Sequence, residues 1–325
     1  MKILLIGSGS IGMRHLNNCF EIIDNPEIII VSQKKQKQDF TRNLHVVDTI
    51  AKAFENNIKY DFAIIATPTS LHINNCIDLL NFGIKKIYVE KPLSNNLKQI
   101  DDLIKLKNKN NALIFVGFDM RFDPGLNKVK QLIDQKKIGE LISFQAEVGQ
   151  YLPDWRPHED YKSGMSAKIE LGGGVLLDLV HEFDFLCWIV GRIENIIGFN
   201  EKIKSLDIET EGIAVNILRT KSGVLGVLSL DYIQRNLSRN AKFIGEAGNI
   251  EWNHVASTVK WFENNQLNLF FYDDFDRNER FKSILKAFIY AEINNYDNRL
   301  TTIEESINSL ELVLKAKKTN IEFKN

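Results

Sequence analysis

The stretch Lys2-Ile3-Leu4-Leu5-Ile6-Gly7-Ser8-Gly9-Ser10-Ile11-Gly12-Met13-Arg14-His15-Leu16 decides the fold. Ile3 to Ile6 is an apolar run of the length of one buried strand. Gly7, Gly9 and Gly12 follow in G-x-G-x-x-G spacing. Leu16, Cys19, Phe20 and Ile23 then recur at helical spacing. In that setting, between a strand and a helix, the spacing is a dinucleotide fingerprint rather than an ordinary βα turn. Gly7 serves the tight turn, Gly9 lets a pyrophosphate approach the backbone, and Gly12 lets the helix close on the strand. The helix start at Ser10 and Ile11 offers free N–H groups and a partial positive charge to the phosphates.

Working outward, Ile28 to Val31 is a second strand, and the residues after it bear on the cofactor. An NAD site places an acid here for the ribose 2′-OH. This chain has Ser32, then Gln33, Lys34 and Lys35. A serine with nearby lysines suits a 2′-phosphate better, so NADP is favoured over NAD. Asp61 to Ala66 is the next buried strand, followed by Thr67-Pro68 and a helix in which Ser70 is a candidate cap. His72 in its first turn is either a contact to the cofactor ribose or a surface ring. Lys86 to Val89 is a further strand running into Glu90-Lys91-Pro92. Ser94 or Asn95 then caps a helix, and Ala112 to Val116 closes the alternation of strands and helices. The pattern predicts a doubly wound parallel sheet, a Rossmann domain over residues 1–120.

Length and composition set the frame. A chain of 325 residues predicts two domains. Its 44% hydrophobic and 26% charged residues are those of a soluble globular protein. A net charge of −1 gives no basic surface for nucleic acid or an anionic membrane. No run approaches the ~18 apolar residues of a spanning helix, and the apolar start is too short for a signal peptide. Cys19, Cys76 and Cys187 lie in apolar helical patterns without metal-ligand spacing, so no metal is expected and the thiols read as small hydrophobes. Their scarcity fits a reducing, cytoplasmic setting.

After Pro124 the pattern changes. Strand candidates at Leu141 to Val148 and repeatedly from Ile193 to Tyr272 are joined by short turns such as Lys221-Ser222-Gly223. Short connections mean hairpins, so residues 121–325 are expected to form an α+β domain with a largely antiparallel sheet. Thr301 or Thr302, with Glu304 or Glu305 three residues on, starts the last helix, 302–318, as a capping box. Gly172-Gly173-Gly174 precedes an apolar helix from Val175 to Ile189 that carries Asp178, His181, Glu182 and Asp184. Residues three apart share a helix face, so Asp178 and His181 can point into one cleft. Such groups are rarely buried without partners, and a salt-bridged structural helix is the alternative. Tyr151 to Tyr161 is a long polar, aromatic loop. In it Trp155 is suited to stacking on a sugar face and Arg156 to clamping an anion, unless the loop is simply a rigid surface feature.

The glycine loop, Thr67-Pro68 with His72, Glu90-Lys91-Pro92, and Gly117-Phe118-Asp119-Met120-Arg121-Phe122-Asp123-Pro124 in this order resemble the Gfo/Idh/MocA family, the relatives of glucose–fructose oxidoreductase and inositol dehydrogenase. The likeness covers nearly the whole chain. It implies an NAD(P)-dependent oxidoreductase moving a hydride between nicotinamide and a secondary alcohol or ketone of a sugar, sugar derivative or cyclitol. It implies an open-faced second sheet that builds a homodimer or homotetramer, a substrate held between the domains, and a last helix that packs back toward the first domain. It also implies that Gly7, Gly9, Ser10, Ile11, Gly12, Ser32, Lys34, Thr67, Pro68, His72, Glu90 and Lys91 serve the cofactor. Lys91 and His181 become the catalytic pair. Asp178 is their orienting acid, with Asp184 as the alternative because many relatives space the Asp and His four residues apart rather than three. Arg121 is either a substrate contact or an interdomain ion pair, and Trp155 and Arg156 complete the substrate side. The competing readings are a nucleotide-sugar oxidoreductase of surface-glycan synthesis and a cofactor-sensing regulator without catalysis.

Overall fold

The computed structural model describes residues 1–33 and 44–319. Lys34 and Lys35, the cations expected near a 2′-phosphate, lie outside the described residues. The chain forms two units, of which the first is Met1–Asp119 with Arg277–Ser306. In chain order the first segment holds β1 (Lys2–Ile6), α1 (Ser10–Ile22), β2 (Glu27–Val31), β3 (His45–Val47), α2 (Ile50–Ala53) and β4 (Phe62–Ile65). It continues with α3 (His72–Asn81), β5 (Lys86–Val89), α4 (Ile100–Lys109) and β6 (Leu113–Val116). These strands form a parallel sheet in the order β6-β5-β4-β1-β2-β3. Ile3, Leu4, Ile30, Ala63, Ile65, Ile87 and Val89 are all 0% exposed. Burial on both faces is why the sequence shows continuous apolar runs rather than alternation. The strand order reverses at β1 and β4, so the loops leaving their carboxyl ends bound the crevice in which such sheets hold ligands.

The second unit is Met120–Asp276 with the residues from Ile307 onward. Its first elements are α5 (Pro124–Asp134), β7 (Leu141–Gly149), α6 (Val175–Asp178) and α7 (His181–Val190). The strands β8 (Ile193–Glu201), β9 (Ile213–Thr220), β10 (Leu225–Asp231), β11 (Ser238–Gly245), β12 (Gly248–Asn253), β13 (Thr258–Glu263) and β14 (Gln266–Phe271) follow. They form a sheet in the order β14-β13-β12-β11-β7-β10-β9-β8, antiparallel except for the pair β7 and β10. Helices α5, α6 and α7 pack on it. Side chains alternate strictly: Ala214, Leu218, Leu228 and Leu230 are 0% exposed. On the other face Ile197, Ile217 and Val227 stand in one cross-strand row and are 49%, 52% and 40% exposed. This is the open-faced α+β domain that was expected.

The division of the chain differs from the expected 1–120 and 121–325. Helix α8 (Arg277–Tyr290) and strand β15 (Thr301–Thr302) belong to the first unit. There β15 adds an antiparallel seventh strand beside β6, α8 packs on α1, and Arg280 Nε meets Asp119 Oδ2 at 3.0 Å. Lys86 Nζ donates to the carbonyls of Ile289 and Ala291, each at 2.7 Å. A two-residue strand carries no periodicity, so the sequence cannot announce it. The last helix, α9 (Ile303–Lys318), is divided, belonging to the first unit as far as Ser306. Its capping box is formed: Thr302 N–H donates to Glu305 Oε2 at 2.9 Å, and Glu305 N–H to Thr302 Oγ1 at 3.3 Å. Two other caps fall elsewhere. Helix α3 starts at His72 with no side-chain cap from Ser70, and α4 starts at Ile100 behind a left-handed Gln99 rather than at Ser94 or Asn95.

Candidate active site

The three glycines of the fingerprint are used differently. A Cβ on Gly7, where φ is +99°, would stand 2.4 Å from the Ala66 carbonyl oxygen, and one on Gly12 would stand 2.2 Å from the Gly7 carbonyl oxygen. The chain itself forbids both. Gly9 has an ordinary φ of −71°, and among the described residues a Cβ there would meet nothing within 4 Å. Gly9 precedes the first residue of α1 and supplies no side-chain cap. Gly9 and Ser10 are exposed and Ile11 is half-buried. Together they leave an uncapped helix N-terminus with room above it, which fits a pyrophosphate. The Ser8 and Ser32 hydroxyls share a 2.6 Å hydrogen bond, tying the end of β2 to the glycine loop. Pro68 is exposed after β4, and Thr67 Oγ1 accepts from Asn75 Nδ2 at 3.0 Å.

Two residues assigned to the cofactor in this unit bond to the chain itself. His72 is 1% exposed, so it is not a surface ring. Its Nδ1 lies 2.8 Å from the Pro92 carbonyl and its Nε2 2.9 Å from the Thr67 carbonyl. Both ring nitrogens face backbone carbonyls, and a neutral ring donates its single N–H to only one of them at a time, so the ring bridges the loops after β4 and β5. Burial pushes its pKa below the usual 6.5, and the two carbonyls offset part of that fall. Glu90, also assigned to the cofactor, is 7% exposed, and its Oε1 accepts from His15 Nε2 at 2.6 Å. Its carboxylate is turned into the domain. Lys91 follows, half-buried, at the cis Lys91–Pro92 bond.

In the second unit the expected single helix is broken. Asp178 ends α6 and His181 begins α7, with Leu179 and Val180 between them. Apolar residues continue through the break, so periodicity does not reveal it. The three acids on this stretch are pinned. Asp178, 6% exposed, accepts from Tyr232 Oη at 2.7 Å. Burial, reinforced by the Asp178 charge, raises the Tyr232 phenol well above its usual value, so it remains a donor. Glu182, 0% exposed, accepts from Arg239 Nε at 2.6 Å. Asp184 takes a two-pronged pair from Arg121, with Nε to Oδ2 at 2.9 Å and Nη2 to Oδ1 at 2.8 Å. Both partners are nearly inaccessible, and removing either typically costs about 3–5 kcal/mol. Asp184, the alternative acid for orienting His181, is thus tied to Arg121. Arg121, which the sequence offers as a substrate contact or an interdomain ion pair, meets Asp184 within its own unit. His181 itself is half-buried at the head of α7.

On the long loop, Trp155 is half-buried, with its ring edge-on to Tyr232 at 5.3 Å and its Nε1 donating to the Gln150 carbonyl at 3.3 Å. Arg156 is exposed and pairs with Glu159 at 3.4 Å. Burial pushes the thiols of Cys19 and Cys187 up to about 12 and that of Cys76 higher, as fits packing residues. The motif reading passed over His15, Tyr232 and Arg239. A histidine on the buried face of α1 was a visible signal, whereas the other two act on partners more than fifty residues away.

Residues 1–118 match the family described as "Oxidoreductase family, NAD-binding Rossmann fold", and residues 126–251 match the Gfo/Idh/MocA C-terminal domain. The chain belongs to the Gfo/Idh/MocA family. Its first unit is the family's NAD-binding Rossmann domain. Among Gfo/Idh/MocA proteins it is 29% identical over 242 residues to the myo-inositol 2-dehydrogenase of Thermotoga maritima, covering 70% of this chain and 67% of that one. It is 24% identical to oxidoreductase P35 of Formosa agariphila, covering 83% and 84%. The fold is shared with the WlbA dehydrogenase of Bordetella pertussis, solved in complex with NADH and UDP-GlcNAcA, at a TM-score of 0.81 and 20% identity over 98% and 95% of the two chains. It is shared too with a myo-inositol 2-dehydrogenase of Lactobacillus plantarum, at a TM-score of 0.79 and 17% identity over 98% and 96%.

The glycine geometry predicts a clean separation of effects. Gly9→Ala should change stability by less than about 0.5 kcal/mol and weaken dinucleotide binding. Gly12→Ala should lower the melting temperature because the backbone must open. Calorimetric titration and thermal melts of both variants check this, and a destabilised Gly9→Ala with normal binding would contradict it. The depressed pKa of His72 gives a second expectation. Above the unfolded value of 6.5 the ring is neutral in both states. As pH falls below 6.5 the unfolded chain takes up the proton first, so stability is lost. Melting temperatures measured at pH 7.5 and pH 5.5 should therefore fall further apart for the wild type than for His72→Gln, which carries no titrating ring. Equal differences would show that His72 is not held neutral.

Proposed function

We propose that this chain is an NAD(P)-dependent dehydrogenase acting on a secondary alcohol of a sugar, sugar derivative or cyclitol. The observation that carries the reading is the space above Gly9: the described residues give no reason of their own for a glycine there, and a dinucleotide does. Gly7, Gly9, Ser10, Ile11 and Gly12 would hold the pyrophosphate, with Ser32 toward the ribose. A bound nicotinamide supplies the acceptor, or the donor, for the hydride of the substrate carbon. His181 takes the hydroxyl proton as general base, since a neutral imidazole suits that task near pH 7. Lys91 donates a hydrogen bond to the same oxygen and stabilises the negative charge that develops there. Asp178, held by Tyr232, is the acid that orients them. The reverse reduction uses the same groups. The inositol dehydrogenases among the relatives support a cyclitol or sugar substrate. Trp155 supplies an aromatic face for such a ring.

A second reading, a nucleotide-linked sugar, is supported by the exposed cations along the long loop. Arg156 lies on it, and Arg235, after β10, stacks over the loop's Tyr151 ring at 3.7 Å. A non-catalytic sensor is disfavoured, because it has no use for both Lys91 and His181.

Lys91→Ala and His181→Ala should each lose about 10²–10⁴ in kcat with dinucleotide affinity little changed. If they act as one unit, the double variant is hardly worse than the worse single one. A His181→Ala enzyme of near-normal kcat would assign the proton transfer elsewhere. On the cofactor, the expectation is tighter binding of NADP(H) than of NAD(H), with Lys34→Glu reversing the order. Calorimetric titration with both decides it, and tighter NAD(H) binding in the wild type overturns the preference. The apolar row Ile197, Ile217 and Val227 supports a homo-oligomer on the open sheet. Light scattering at a monomer mass near 37.3 kDa across micromolar concentrations would contradict it.

A further inference from the structure

Two buried histidines from different helices bond to the two residues that flank Lys91. His15 is 0% exposed, three residues after Gly12 on α1, and its Nε2 donates to Glu90 Oε1 at 2.6 Å. Its ring is packed edge-on against Tyr88 at 5.1 Å and Phe281 at 6.3 Å, so it cannot turn away without opening the core. The carboxylate is confined as well. A Cβ placed on Gly117 would stand 2.7 Å from Tyr88 Oη and 3.1 Å from Glu90 Oε1, which shows how closely the backbone approaches these two oxygens. On the other side of Lys91, the Pro92 carbonyl lies 2.8 Å from Nδ1 of the buried His72, on α3. The two helices begin just after the loops that leave β1 and β4. The Glu90 side chain and the Pro92 carbonyl, on either side of Lys91, are thus engaged from the two helices that follow the loops bounding the dinucleotide crevice.

A buried carboxylate is costly unless hydrogen-bonded, so a purely structural pair would account for His15 and Glu90 by themselves. His72 likewise has a structural use between the Thr67 and Pro92 carbonyls, but neither use explains why the two buried rings bond the residues on both sides of the same lysine.

We propose that His15 and His72 are positioning residues for Lys91. His15 acts through Glu90 and His72 through the Pro92 carbonyl, together setting where the ammonium group meets the substrate oxygen. The proposal rests on the reading of Lys91 as a substrate-facing group. It is tested with His15→Leu, which leaves Glu90 without its donor, and His15→Gln, whose amide N–H replaces it. Circular dichroism melts confirm that each is folded.

The first readout is the acetylation rate of Lys91 by acetic anhydride relative to exposed Lys105, followed by mass spectrometry without substrate. His15→Leu should raise the ratio several-fold and His15→Gln should leave it near the wild-type value. The second readout is turnover. His15→Leu should lower kcat by about tenfold, as a small misplacement of a reacting group does, with KM for the dinucleotide unchanged and with recovery in His15→Gln. In a Lys91→Ala background the same substitution should cost nothing more. An unchanged Lys91 acetylation rate in a folded His15→Leu protein overturns the proposal whatever the substrate. So do losses that multiply in full with Lys91→Ala. A changed rate in a protein without dehydrogenase activity upholds the clamp and overturns the functional reading instead.

Discussion

The first unit depends on one close approach of backbone to backbone. Gly7 turns beneath the Ala66 carbonyl, and Gly12 lies against the Gly7 carbonyl, with no room for a methyl group at either place. This contact locks the loop after β1 to the loop after β4 at the point where the strand order reverses. It also aims the first turn of α1, with its unbonded N–H groups, out of the sheet. Gly9, between the two constrained glycines, is left with space that no described residue fills. A fingerprint of three glycines is therefore two packing requirements and one vacancy, and only the vacancy speaks of a ligand.

In the second unit the corresponding constraint is electrostatic. Acids on an apolar stretch must find partners, and each of the three does so: Asp178 with Tyr232, Glu182 with Arg239 and Asp184 with Arg121. The partners come from the end of β10, the start of β11 and the turn before α5. They tie α6 and α7 to β10, β11 and the turn before α5, and His181 stands half-buried at the head of α7. The alternation of buried and exposed residues along β9 and β10 leaves the opposite face of the sheet apolar and uncovered.

Much of this was legible in the residues. Continuous apolar runs gave the parallel strands, alternating runs with tight turns gave the antiparallel ones, and the glycine spacing placed the phosphate loop. What escaped has a common cause, since it depends on contacts distant in sequence. The strand Thr301–Thr302 is too short for any period, and its place beside β6 is a tertiary fact. The break at Leu179 and Val180 is hidden by continuing apolarity. Helical spacing put Asp178 and His181 on one face and left Asp184 as an alternative, but which acid was already spent depended on Arg121, sixty-three residues earlier. His72 and Glu90 were assigned to the cofactor through the family resemblance, and in the fold the side chains of both bond to the chain itself, His72 to backbone carbonyls and Glu90 to His15.

The central claim is that the loops after β1, β4 and β5 together form a seat for a reduced dinucleotide. Hydrogen–deuterium exchange with and without NADH and NADPH tests it most directly. The account predicts slowed exchange at residues 7–13, 66–70 and 89–93 with at least one of the two, and little change in β7 to β14. Exchange unchanged in all three segments, at a nucleotide concentration that calorimetry shows to be saturating, would contradict it.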